Sequence, residues 1–360
     1  MGVPGPVPGA TSSGRYADEV EALARGRLAP EVHEYVRLGS GRSLTAEEAT
    51  RSWDRFRFVP RVLLDVTEVD VTTSLLGTPV RSPLAVAPTT LQRAAHPEGE
   101  VAMARGVAEA GGLVVVSSNA GSTFEDVGAT GAPWWLQMYV TADRSATAPV
   151  VERAVAAGAR AIVLTADTPV VATKDRASAA VWDVVEPGWL RVNFSPTDGT
   201  ADPSRLEKAR DLGPQDVAWL SGTFGLPVVV KGVLHPADAR RCVDAGAAAV
   251  WVSNHGGRQL DQARSTAEAL GEVAEAVGDE VEVYVDGGVR RGTHALAAAA
   301  LGATGVFVGR PAYYALAADG ATGVARLLGE LATELEEAVR LSGHVSTAAV
   351  GRDLLRSAGL

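Results

Sequence analysis

From Pro83 onward the chain alternates short apolar runs, rich in Val, Leu, Ile and Ala, with Ala-rich helical segments. The runs fall at 84–87, 113–117, 134–140, 161–165, 227–231, 249–253, 283–286 and 305–308. Continuous apolar strands of this length fit a parallel sheet buried on both faces. Eight of them with intervening helices is the count of a (β/α)8 TIM barrel. A doubly wound open sheet also explains the alternation, but it usually has fewer strands and a Gly-rich turn after the first. The expected class is therefore α/β, a barrel forming a single domain over 15–360. The elements Ala157-Gly158-Ala159, Ala245-Gly246-Ala247 and Leu301-Gly302-Ala303 place glycine where a helix hands over to a strand.

Ahead of the barrel, 15–58 reads as amphipathic and helical, an N-terminal cap. One segment starts at Tyr16-Ala17-Asp18-Glu19. Another opens at Thr45, whose spacing to Glu48 is a capping-box signature. The stretch 30–41, ending Gly39-Ser40-Gly41, is expected as a turn. Residues 1–14 are rich in Gly, Pro and Ser and lack a basic-then-apolar signal, which predicts a disordered tail on a cytoplasmic protein. The long connection 168–213, with Pro, Gly, Asp and scattered Trp, is expected as a mobile lid over the C-terminal end of the barrel. A formal net charge of −10 argues against nucleic acid or anionic membrane as partners. An anionic ligand must then be held by local cations. Cys242 is the sole cysteine, set in an apolar helical stretch, and reads as a packed side chain.

In a barrel, reactive groups sit where strands end. The strand ends here carry Pro88-Thr89-Thr90, Ser117, Gln137 with Tyr139, Thr165 with Asp167, Lys231, Ser253-Asn254-His255, Asp286-Gly287-Gly288 and Gly309-Arg310. Polar groups gathered at one end of an apolar cylinder require a polar partner, which a bound cofactor supplies. The glycines after the seventh and eighth runs, with Arg290 and Arg310, form a phosphate site. His255, flanked by glycines and by Arg258, faces an open cavity and suits a base, while Arg258 can grip a carboxylate with two prongs. Lys231 ends an apolar run in a chain with only three lysines. Its charge can stabilise an electron-rich flavin ring, or its amine can form a Schiff base as in aldolase barrels.

Taken together these residues resemble the FMN-dependent 2-hydroxy-acid oxidases and dehydrogenases, the family of glycolate oxidase, lactate oxidase and mandelate dehydrogenase. The resemblance runs from about Tyr16 to Gly343 and is most specific at Ser253-Asn254-His255-Gly256-Gly257-Arg258-Gln259-Leu260-Asp261. It is supported by His96-Pro97-Glu98-Gly99-Glu100, Leu136-Gln137-Met138-Tyr139, Thr165-Ala166-Asp167-Thr168-Pro169, Lys231-Gly232-Val233 and Asp286-Gly287-Gly288-Val289-Arg290-Arg291-Gly292. Within the family the chain looks most similar to bacterial hydroxymandelate-oxidase-like members.

The resemblance implies FMN as cofactor and no metal. It implies oxidation of a small (S)-2-hydroxy acid to the 2-oxo acid, with oxygen as acceptor. A quinone-linked dehydrogenase and a non-redox FMN barrel enzyme are the alternatives. It makes His255 the base, with Asp167 stabilising its protonated form. Arg258 and Tyr35 would bind the substrate carboxylate, and Tyr139 its hydroxyl. Pro88, Thr89, Thr90, Ser117, Gln137, Thr165 and Lys231 would line the flavin ring, and Ser253 the ribityl chain or ring edge. Asp286, Gly287, Gly288, Arg290, Gly309 and Arg310 would hold the phosphate end. A homotetramer is the family's usual assembly. Three positions depart from the family pattern: Thr90 beside the flavin edge, Asn119 where an aromatic is common, and Ala172-Thr173-Lys174 in place of Gly-Arg-Arg. The last two imply an altered substrate end.

Overall fold

The structure is a computed structural model, and it describes residues 15–174, 180–194 and 207–357. The expected tail at 1–14 and parts of the expected lid, 175–179 and 195–206, lie outside the described residues. All eight apolar runs are strands: β1 (Leu84–Val86), β2 (Val114–Ser117), β3 (Trp134–Met138), β4 (Ile162–Thr165), β5 (Val228–Val233), β6 (Ala249–Val252), β7 (Glu282–Val285) and β8 (Gly305–Val308). They form one closed parallel barrel in sequence order, so the (β/α)8 reading holds and the open sheet is excluded. The main barrel helices after successive strands are Gly99–Ala110, Phe124–Gly128, Arg144–Ala156, Pro214–Phe224, Pro236–Asp244, Thr266–Val277, Gly292–Ala300 and Arg310–Leu341. Gly158, Gly246 and Gly302 have positive φ at the helix-to-strand turns, as expected.

Closure sorts every strand into two faces, because successive side chains point opposite ways. Ala85, Val115, Trp135, Val163, Val229, Trp251, Tyr284 and Phe307 meet in a cluster inside the barrel. The residues one step on, such as Val86, Val116, Leu136, Val252 and Val308, pack beneath the helices. Aromatic rings fill the centre: Trp251 and Phe307 have centroids 3.9 Å apart, and Trp135 and Tyr284 5.6 Å. A hairpin of Thr73–Leu75 and Thr78–Val80 closes the opposite end, inserting Leu75 into the interior cluster. Its turn carries positive φ at both Leu76 and Gly77, the geometry a two-residue hairpin loop requires. Cys242 is half-buried, and burial pushes its thiol up to about 11, in keeping with a packed side chain. Among the described residues no helix is long and apolar enough to cross a membrane.

The cap contains α1 (Tyr16–Arg25), α2 (Pro30–Arg37) and α3 (Leu44–Asp54). Two local expectations need correction. Most of 30–41 is helix, not turn: Pro30 occupies the first helical position, where its missing N–H costs nothing. The Thr45–Glu48 capping box does not form, since α3 starts one residue earlier at Leu44. The free N–H groups at this end are met from across the fold instead. Asp261 Oδ2 accepts from Arg42 N at 2.9 Å and Oδ1 from Thr45 N at 3.0 Å. Burial acts to raise the Asp261 pKa, yet these backbone bonds outweigh it and hold the carboxyl below its usual range. At its other end α3 is fixed by Trp53, whose Nε1 donates to Gly287 O at 2.7 Å.

The interior aromatics should dominate barrel stability. Phe307→Ala is expected to cost about 3–5 kcal/mol, read as a lower guanidinium chloride midpoint. A cost below about 1 kcal/mol would mean the barrel centre is loosely packed.

Candidate active site

The polar rim continues the interior face. Two positions beyond Val115, Trp135, Val163, Val229, Trp251, Tyr284 and Phe307 stand Ser117, Gln137, Thr165, Lys231, Ser253, Asp286 and Gly309. Where the apolar core stops, the same face presents hydrogen-bonding groups to a cavity of about 580 Å3. That size suits a cofactor with a small substrate.

On one side the groups form a rail. Ser117 Oγ donates to Gln137 Oε1 at 2.8 Å, and Gln137 Nε2 donates to Thr165 Oγ1 at 3.0 Å. All three side chains are buried except where they edge the cavity. Opposite, Lys231 Nζ donates to Ser253 Oγ at 2.7 Å and lies 3.2 Å from Asp286 Oδ2. Ser253 Oγ in turn donates to Asp286 Oδ1 at 2.7 Å. An irregularity in β5 between Lys231 and Val233 sits at this point, as bulges beside functional sites often do. Ser253 is wholly buried and does not line the cavity; it bridges Lys231 and Asp286 from behind.

His255 is reached by a sharp turn. His255, Gly256 and Gly257 all have positive φ, at 59°, 63° and 73°. Histidine tolerates this region better than most residues, and glycine takes it at no steric cost. The turn swings the imidazole over the rim, where Nδ1 lies 3.0 Å from Asp167 Oδ1 and Nε2 3.5 Å from the Tyr139 hydroxyl. Asp167 stands behind His255 and does not line the cavity. Its Oδ2 is buried with no hydrogen-bond partner. Burial works to raise the Asp167 pKa, but the His255 ring, the nearby Lys231 charge and the Thr168 hydroxyl outweigh it and bring it to about 2. For His255 the balance runs the other way. Burial lowers its pKa, aided by Lys231 and Arg258, and Asp167 only partly opposes this. The resting pair is an ionised Asp167 beside a neutral His255, with Nδ1–H donating to the carboxylate and Nε2 free to accept a proton. Burial and Asp167 also raise the Tyr139 phenol above its usual value, so it stays a hydrogen-bond donor.

Two arginines fasten the cap over this rim. Arg258 Nη1 donates to Tyr35 O at 2.7 Å and Leu38 O at 2.9 Å, and its guanidinium lies 4.7 Å from the centre of the Tyr35 ring. Arg310 donates from Nε to Val36 O and from Nη1 to Gly256 O, both at 2.9 Å. The last carbonyls of α2 have no partners within the helix, so cations here satisfy them and oppose its dipole. Tyr35 is thereby brought to the cavity wall. Arg258 keeps Nε and Nη2 without a partner among the described residues.

At the far end Arg290 donates from Nη1 to the adjacent Val289 carbonyl and has no ion pair among the described residues. Burial draws its pKa down and draws Arg310 down to about 9, where Arg258 and Arg290 add repulsion. Such guanidinium groups need an anion. Gly288, at φ 83°, lets α3 pack close to this loop, since a Cβ there would lie 2.3 Å from Ala49 O, and Gly288 itself lines the cavity. Backbone, arginines and glycine therefore fit a phosphate, and the rail fits the edge of a flat heteroaromatic ring. The residues present fit FMN. Pro88, Thr89, Thr90, Gly287 and Gly309 line the same cavity. The expected grouping is thus brought together at one rim, with Ser253 and Asp167 one layer behind.

Sequence reading missed Lys208, Trp182, Leu190 and Arg191, which the long connection after β4 carries into the cavity wall. No periodicity marks them. It also gave Gln259 and Asp261 no separate task. Gln259 Nε2 donates to Thr168 Oγ1 at 2.7 Å, and Asp261 serves the start of α3.

Comparison with known proteins points to one family. A family model described as FMN-dependent dehydrogenase matches residues 24–357. Glycolate oxidase of Spinacia oleracea is 41% identical over 350 residues, covering 93% of this chain and 94% of that protein. L-lactate oxidase of a Nostoc species is 38% identical over 341 residues, covering 90% and 93%. The crystal structure of mandelate oxidase with benzoyl-formic acid superposes with a TM-score of 0.85 at 37% identity, covering 94% of this chain and 97% of that one.

In an NMR titration the His255 imidazole should titrate below the ordinary histidine value of about 6.5. Asp167→Asn removes the group that opposes this shift and should move the titration lower still. A His255 titrating above that value in the native chain would contradict the neutral resting state.

Proposed function

The chain belongs to the FMN-dependent dehydrogenase family, and we propose that it oxidises a small (S)-2-hydroxy acid to the 2-oxo acid, with oxygen as the final electron acceptor. Bound FMN supplies the two-electron oxidant. The observation that carries the reading is His255, held neutral at the rim between the Asp167 carboxylate and the Tyr139 phenol.

The free edge of the Arg258 fork takes the substrate carboxylate in a charge-assisted pair, with Tyr35 beside it. This fixes the 2-hydroxyl near Tyr139 and His255. Tyr139 donates to the hydroxyl oxygen and continues to do so as that oxygen becomes a carbonyl. His255 Nε2 takes one of the two protons the substrate loses, and the other hydrogen, with the two electrons, would pass to the bound FMN. The imidazolium formed is stabilised by Asp167, whose second oxygen has no competing donor. Lys231 places its charge against the ring rail, where it favours added electron density, and its tie to Ser253 and Asp286 argues against a Schiff-base role. Arg290, with Gly287, Gly288 and the opening of the helix after Gly309, holds the phosphate. Arg310 adds its charge at the same wall while Nε and Nη1 fix α2 and the His255 turn through carbonyls.

The proposal extends to a homotetramer. Val59, Val62, Leu63 and Leu64 are exposed, with Leu63 fully so, and assembly would cover this apolar run. Light scattering on the purified protein should give a four-chain mass, and a monomer at micromolar concentration would contradict this.

The direct test is anaerobic mixing of the FMN-loaded protein with lactate, glycolate or mandelate. The visible absorbance of oxidised flavin should bleach, at a rate that is flat from neutral pH upward and falls as His255 becomes protonated on the acid side. His255→Asn should retain FMN and lose bleaching by at least about a hundredfold. Rapid bleaching by that variant would remove His255 from the role of base.

A further inference from the structure

The chain has only three lysines, Lys174, Lys208 and Lys231, and all of them line the one cavity; every other Lys or Arg charge is arginine. Lys231 is spent on Asp286 and Ser253. Lys174 and Lys208 have no such partner: among the described residues neither makes an ion pair or a side-chain hydrogen bond. Instead they stand on aromatic faces at the outer end of the cavity. Lys208 Nζ lies 3.6 Å from the centre of the Tyr139 ring, and Lys174 Nζ lies 5.6 Å from that of Tyr35. The phenol that faces His255 thus carries an ammonium on its ring. Arg191 joins them at the rim, with a positive φ of 57° and its Nε donating to Asn119 Oδ1 at 3.2 Å.

Charge makes this cluster informative. The chain as a whole is acidic, yet among the described residues the cavity wall has one carboxylate, Asp286, already engaged by Lys231. The phosphate of FMN answers Arg290, and the carboxylate of a 2-hydroxy acid answers Arg258. Lys174, Lys208 and Arg191 then remain as a like-charged group with no carboxylate paired to them among the described residues. Burial pulls both lysines down to about 8; Arg258 and Arg310 repel Lys174, while at Lys208 the attraction of Asp167, a carboxylate already paired with His255, only partly offsets burial and the repulsion of Arg191 and Lys174. Keeping such amines at a site costs stability unless an anion arrives to share it.

We propose that the outer end of the cavity is a second anion site, built on Lys208 and Lys174 with Arg191 at the rim, and that the preferred substrate is a 2-hydroxy acid bearing a further carboxylate remote from the reacting carbon. The inference rests on the 2-hydroxy-acid reading above and deepens it. Lysine suits the task because its compact, flexible ammonium accepts a carboxylate without imposing the planar fork of arginine. Asn119 leaves this end polar and holds Arg191 in place, where a large aromatic would close it. An aryl-substituted acid could offer these ammonium groups only the face of its ring, a weaker partner than a carboxylate.

Binding separates this proposal from turnover. Calorimetric titration of the FMN-loaded protein compares 2-oxoglutarate with 2-oxopentanoate, and 2-oxoadipate with 2-oxohexanoate, each pair equal in chain length and differing in the distal carboxylate. At least one dicarboxylate should bind about tenfold tighter or more than its partner, and the advantage should shrink as salt rises. Lys208→Met should abolish the advantage while shifting monocarboxylate affinity less than about threefold, and Lys208→Arg should restore much of it. FMN affinity should be unchanged in each variant, which reports that the barrel is intact. Equal or tighter binding of both monocarboxylates, or an advantage that survives both Lys208→Met and Lys174→Met, overturns the proposal. Failure of every 2-hydroxy acid to bleach the flavin is a different result: it removes the oxidation reading and leaves the ranking of these ligands to decide the anion site.

Discussion

A closed barrel of parallel strands has one interior, and side chains alternate strictly between that interior and the helices outside. The site depends on this constraint. Because the strands run the same way, their last inward positions arrive at the same end. Because closure leaves no edge, those positions surround a single space. Trp135, Trp251, Tyr284 and Phe307 end the apolar filling, and the next inward residues are Gln137, Ser253, Asp286 and Gly309. The aromatic floor excludes water from below, so each polar group above it must find a partner in a neighbour or in a ligand.

Partnering divides these groups into two kinds. Some are engaged within the protein and act as supports: Ser253 between Lys231 and Asp286, Asp167 through one oxygen behind His255, and Asp261 at the start of α3. Others are left with unmet capacity, and they mark where ligands belong: the open edge of Arg258, the poorly paired Arg290, the accepting nitrogen of His255, and the outer lysines. The cap follows the same logic. It is held by arginines that complete the carbonyls of α2, so Tyr35 reaches the cavity without any strand beneath it.

Much of this was legible in sequence. Parallel strands buried on both faces read as unbroken apolar runs, and each of the eight appears as a strand within a few residues of its expected ends. The residue types at their ends marked the rim, and Ser253-Asn254-His255 with Arg258 marked the turn that brings His255 and Arg258 to the cavity wall. What sequence did not give are relations set by distant contacts. Thr45 and Glu48 have the spacing of a capping box, but Asp261, far along the chain, satisfies that end of the helix. Pro30 looks like a turn residue until its place at the first position of α2 is known. Ser253 ends an inward strand face, yet Lys231 and Asp286 close over it. Lys208 belongs to a long irregular connection, where no period tells which side chain turns inward.

The central claim is that one rim faces one flavin, with His255 poised over the reacting carbon. A crystal structure of the FMN-loaded protein with a bound 2-oxo acid tests it most directly. The isoalloxazine should lie along Ser117, Gln137 and Thr165, with the ligand carboxylate on Arg258 and its oxo group within hydrogen-bond reach of both Tyr139 and His255. A ring seated elsewhere, or an oxo group directed away from His255, would contradict the account.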